Sequence, residues 1–66
     1  MYRLLIREVR QDAGISQGTL ARLAGTTQAT ISRLEGGTRC PSMAVLASLA
    51  RALECRMGDL VVLDKP

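Results

Sequence analysis

Between Ser16 and Glu35 the chain reads SQGTLARLAGTTQATISRLE, and these twenty residues leave little freedom in how it can fold. Residues 17–24 set Leu20, Ala21 and Ala24 on one helical face, and residues 28–35 do the same with Ile31 and Leu34. Each segment is only about two turns long, too short to hold a helix by itself. Both stripes must therefore be buried against the rest of the chain. Ser16 and Thr27 stand in front of the two segments as hydroxyl caps for orphan backbone N–H groups, and Gly25 stands where the first helix needs a left-handed residue to end. Two short helices meeting across a sharp turn follow from these residues.

The second segment has an unusual outer face. At about 100° per residue its buried direction runs between Ile31 and Leu34, and the opposite direction falls among Ala29, Ser32 and Arg33, with Gln28 at the edge. A face meant only for solvent more usually carries several Glu and Lys. This one is small, polar and singly basic, and it could lie against a flat edge such as a base pair.

Gln17, Ala21, Gly25 and Ile31 are spaced as in the helix-turn-helix of phage-repressor (Xre or Cro type) transcription regulators, which this sequence resembles. Glu35-Gly36-Gly37 and Pro41-Ser42 extend the resemblance, and the run 46–53 is similar to the family's fourth helix. Nearly all of residues 4–62 are covered. The resemblance implies an all-α, lambda-repressor-like fold: a five-helix bundle in one domain, with the helix-turn-helix at its second and third helices.

The first helix is expected over Leu4–Ala13, with Ile6 and Val9 inward and Gly14 as terminator. Arg10 lies at the border of its apolar stripe, and Glu35 holds the same border position on the third helix. In related repressors an arginine and a glutamate at matching positions form an internal salt bridge, so the resemblance implies an Arg10–Glu35 pair; two separately solvated charges are the alternative. Gly36-Gly37-Thr38-Arg39-Cys40-Pro41 cannot continue a helix and should form a loop. Ser42 caps a fourth helix, Met43–Leu53, with Met43, Leu46, Leu49, Ala50 and Leu53 as its apolar stripe. A short fifth helix should begin near Met57 and include Leu60. Leu60-Val61-Val62-Leu63 is more continuously apolar and β-branched than a helical turn needs, and Met1-Tyr2-Arg3-Leu4 could also be extended, so short terminal β-strands are an addition the ends allow.

Composition narrows the chemistry. The chain has 66 residues, of which 47% are hydrophobic and one, Tyr2, is aromatic, which suits an aliphatic helical core near the lower size limit and leaves no room for an enzyme cleft of ordinary size. Net charge is +3, and eight of the nine basic residues are arginine, the side chain that best forks onto phosphate or guanine. With no stacking aromatics, a single-strand binder is disfavoured. There is no histidine, no CxxC spacing, no paired carboxylate pocket and no phosphate-binding glycine motif, so no metal, cofactor or enzyme activity is expected, and Cys40 and Cys55 should be reduced, Cys55 within the core. Leu4-Leu5-Ile6 is a short run between Arg3 and Arg7, so neither a signal peptide nor a membrane span is read and a cytoplasmic address is expected.

Together these readings lead to double-stranded DNA as partner. The third helix, about 28–34, would enter the major groove, where Gln28 can pair with adenine, Arg33 with guanine or phosphate, and Ala29 can touch a thymine methyl, assisted by Ser32 or Thr30. Gln17 and Thr27 would set register on the backbone. In the family the loop passes along the DNA backbone, which implies phosphate contacts at Thr38 and Arg39. One such helix reads few bases, so a homodimer on a palindromic operator is expected, with Leu60, Val61, Val62 and Leu63 as its contact; the alternative for that tail is completing the monomer's own core. Repression is the natural use. A different class remains open, an antitoxin-like module whose apolar Leu23 and tail cover a protein partner, with DNA binding secondary or absent.

Overall fold

In the computed structural model, which describes residues 2–37 and 40–63, the elements run β1 (Tyr2–Leu4), α1 (Ile6–Asp12), α2 (Gln17–Ala24), α3 (Gln28–Glu35), α4 (Met43–Ala52), a 3₁₀ turn (Met57–Asp59) and β2 (Val61–Leu63). Local chemistry marks the helix starts. The hydroxyls of Ser16, Thr27 and Ser42 accept from the backbone N–H groups of Thr19, Thr30 and Val45 at 3.1, 3.2 and 3.2 Å. Gly25 ends α2 at φ 70°, and the Thr26 N–H then reaches back to the Ala21 carbonyl at 2.9 Å. A left-handed residue at that point aims the chain straight into α3.

Ile6, Leu20, Ile31, Leu34, Leu49 and Leu60 are fully buried, with Ala21, Leu46, Ala50 and Leu53 nearly so, and Val9, Ile15, Ala24 and Cys55 pack around them. Every helix contributes to this one cluster, which is how segments of seven to ten residues remain helical.

Three expectations are corrected. Among the described residues there are four α-helices, and the expected fifth is a single 3₁₀ turn. Gly58 is a poor helix former there, the Asp59 carboxylate turns back to accept from the Arg56 N–H at 3.0 Å, and the β-branched Val61-Val62 pair leaves as a strand. The first helix begins at Ile6 rather than Leu4, because Leu4 is drawn into an antiparallel ribbon with register Tyr2↔Leu63, Arg3↔Val62 and Leu4↔Val61, extended by the Leu5 N–H donating to the Leu60 carbonyl at 2.8 Å. Met43 does not belong to the stripe of α4: it is 70% exposed beside exposed Ala44, and packing starts at Val45.

Candidate nucleic-acid interface

The outer face of α3 carries Gln28, Ala29, Ser32 and Arg33, and all four are exposed while Ile31 and Leu34 anchor the opposite side in the core. Thr27 and Thr30 are less free. Their hydroxyl oxygens lie 3.0 Å apart, and the Thr27 hydroxyl also caps the helix, so both serve the helix start first. Ser16 and Thr19 repeat this arrangement on α2, with their hydroxyl oxygens 3.0 Å apart. Thr38 and Arg39 lie outside the described residues.

Behind the face sits one carboxylate. The Glu35 side chain has 0% exposure, and Arg10 donates to it in a fork, Nε to Oε2 at 2.7 Å and Nη2 to Oε1 at 3.1 Å. The Arg10 Nη1 continues to the Ile15 carbonyl at 2.9 Å. Gln17 donates from Nε2 to Oε1 at 3.1 Å, and Arg7, itself 54% exposed, adds a longer contact at 3.3 Å. Burial alone would raise the Glu35 carboxyl, but the hydrogen bonds from Arg10, Gln17 and Arg7 and the charge of Arg10 outweigh it and hold the group below the usual carboxylate range. Hydrogen bonding to Glu35 in turn pushes the Arg10 guanidinium up, against its partial burial. A forked, charged hydrogen bond of this kind is geometrically demanding. Here it locks α1, the start of α2 and the end of α3 together.

Gln17 therefore turns inward rather than outward. What it leaves for a phosphate is backbone, since the first N–H groups of a helix have no partner within it. Neither periodicity nor motif spacing points to Gln17 or Arg7 as donors, because they are 18 and 28 residues from Glu35 and become neighbours only through the tertiary fold. The sequence does not single out Tyr2 either: the nearby Cys40 side chain, more than any burial, pushes its phenol above the ordinary tyrosine pKa. Cys40 is exposed and Cys55 half-buried, both are free thiols, and burial, then the charge of Asp59, raises Cys55. Leu60 is fully buried in its own chain and lends no surface to a dimer, whereas Val61 and Val62 are half-buried and Leu63 is 79% exposed. Among the described residues no helix is long and apolar enough to cross a membrane, and no cluster of three or more Cys, Asp or Glu could hold a metal ion.

Two capped helices joined at a left-handed glycine, with a small polar face on the second, occur in a sequence that a family model described as helix-turn-helix matches over residues 6–60. The chain belongs to the helix-turn-helix family, of the phage-repressor (Xre) type. This helix-turn-helix protein is similar to the restriction-modification controller protein C.AhdI from Aeromonas hydrophila, at 35% identity over 82% of this chain and 78% of that one, with TM-score 0.80. It is also similar to the clp gene regulator ClgR from C. glutamicum, at 31% identity over 82% and 70%, TM-score 0.78. A third similar structure is the P22 c2 repressor in complex with a synthetic operator, at 29% identity over 83% and 88%, TM-score 0.76. Among curated proteins, none matches the chain. The helix-turn-helix protein thus has the fold of DNA-binding transcription regulators, and its family and these relatives are regulators rather than enzymes.

Proposed function

We propose that the protein is a sequence-specific regulator of transcription that binds double-stranded DNA as a homodimeric repressor on a palindromic operator. The observation that carries this reading is the exposed α3 face, Gln28, Ala29, Ser32 and Arg33, held on a frame fixed by the buried Glu35. With α3 in the major groove, the Gln28 carboxamide pairs with adenine N6 and N7, Arg33 forks onto guanine O6 and N7 or takes a phosphate, and Ala29 meets a thymine methyl, with Ser32 or Thr30 assisting. Backbone N–H groups at Gln17, the Thr27 hydroxyl and the loop residues Thr38 and Arg39 hold phosphates and set register.

The dimer forms along β2. The Leu5–Leu60 hydrogen bond makes that pair a bonded one, so by antiparallel alternation Arg3–Val62 is the next, and the N–H and C=O groups of Val61 and Leu63 face the ribbon's outer edge. A second copy related by a two-fold axis at Val62 sets its Leu63 opposite Val61 and satisfies both ends. The strand Val61–Leu63 has no charge, proline or glycine to discourage such pairing.

Selection from a randomised duplex pool tests the function. Enrichment of a palindrome is expected, with Gln28→Ala and Arg33→Ala each relaxing one defined base position by about 1–3 kcal/mol. No enrichment at low salt from folded protein overturns it. A second reading, a protein-interaction module, has Leu23 at 53% and Met43 at 70% exposure in its favour. A salt titration separates the two, because DNA affinity falls steeply with salt and an apolar contact does not.

A further inference from the structure

We infer that Gly18 is a specificity-determining residue of the α3 reading face, acting through the side chain it lacks; this rests on the DNA-binding reading above. In the first turn of α2 every polar side chain is already engaged. The Ser16 hydroxyl caps Thr19 and bonds its hydroxyl, and Gln17 is held by Glu35. Gly18 alone contributes nothing, and it stands beside the recognition helix: a Cβ built there would lie 3.7 Å from Oε1 of Gln28 and 3.9 Å from the Ser16 hydroxyl oxygen.

Neither conformation nor packing demands a glycine. Its backbone is part of an ordinary α-helix, a methyl group would make only ordinary contacts, and glycine costs a helix roughly 1 kcal/mol relative to alanine. What the bare Cα does is leave the carboxamide of Gln28 facing backbone. Among the described residues that carboxamide has no hydrogen-bond partner, so both its oxygen and its NH₂ remain available. Adenine needs both at once, as acceptor for N6–H and donor to N7. A hydroxyl on residue 18 sits one bond beyond the Cβ position and comes within hydrogen-bonding reach of Oε1. Donating there, it holds Oε1 toward α2 and turns the carboxamide out of the plane in which its oxygen and NH₂ meet adenine N6 and N7 together.

The test compares wild type, Gly18→Ala, Gly18→Ser and Gln28→Ala by duplex-pool selection, with melting curves to verify folding. Gln28→Ala first identifies the base position that Gln28 reads. Gly18→Ser is then expected to reduce the adenine preference at that position by about fivefold, one ordinary hydrogen bond's worth, and to leave the other positions alone. Gly18→Ala, which adds the carbon without the hydroxyl, keeps the wild-type preference. A Gly18→Ser profile matching wild type overturns the inference and spares the DNA-binding reading, and so does an equal loss in Gly18→Ala. Failure of wild type to enrich any site, or of Gln28→Ala to relax any position, overturns both.

Discussion

Glu35 is the residue on which three helices meet, and its burial makes the consequences of losing a partner large. Arg10→Met leaves the carboxylate without its forked donor in a place from which water is excluded, so stability should fall by about 3–5 kcal/mol, much of the total available to so small a domain. Urea unfolding followed by far-ultraviolet circular dichroism measures this, and an unchanged melting temperature would sink the buried pair. The same carboxyl sets an acid limit. Its folded pKa lies below the unfolded one, so its stabilisation is complete above about pH 4.3, where unfolded glutamate titrates, and is lost as pH falls through the folded value. Glu35→Gln should accordingly be less stable than wild type near neutrality and lose less stability between pH 5 and pH 3, and parallel stability curves for the two proteins would contradict this. The pair itself is legible in the sequence as two border charges whose partnership the family resemblance supplies. Gln17 is less so: as a helix-start amide it reads equally well as a phosphate contact, and only the packed fold turns it toward Glu35.

At the scale of elements, what the sequence makes legible is what local chemistry decides. The caps Ser16, Thr27 and Ser42 and the terminator Gly25 bound α2 and α3 and start α4 at the residues expected. Strand pairing is not local, so the sequence leaves the ends of the chain less determined: whether Leu4 extends α1 or pairs with Val61 depends on residues 57 positions apart. The end of α4 shows a cap whose geometry outruns its chemistry. Glu54 adopts φ 53° while the Cys55 N–H reaches the Ala50 carbonyl at 2.9 Å, the wrap that glycine performs at Gly25. Glu54→Gly should remove the steric cost of a left-handed side chain and raise stability by about 1 kcal/mol, seen as a higher melting temperature. A lower melting temperature would mean that the Glu54 side chain contributes more than its conformation costs.

For the whole molecule, the decisive question is whether β2 joins two copies, and the ribbon offers a substitution that asks it without touching the core. Side chains alternate across a strand, so Leu4 and Val61, which pack against the core, share one face of the ribbon while Arg3 and Val62 occupy the other. Val62→Lys therefore leaves the buried cluster intact. In the proposed dimer, however, the two-fold axis passes at Val62, which sets the two new lysines directly across from one another with Arg3 beside each, and like charges so placed oppose pairing. Sedimentation should find the Val62→Lys protein folded and monomeric at concentrations where wild type is dimeric. On DNA the same variant should keep its salt-dependent affinity for a single half-site yet lose the gain that a palindrome confers, because each recognition helix is untouched and only the link between them is gone. A Val62→Lys protein that remains dimeric would move the contact away from β2, and the exposed Leu23 and Met43 would be the next surface to substitute.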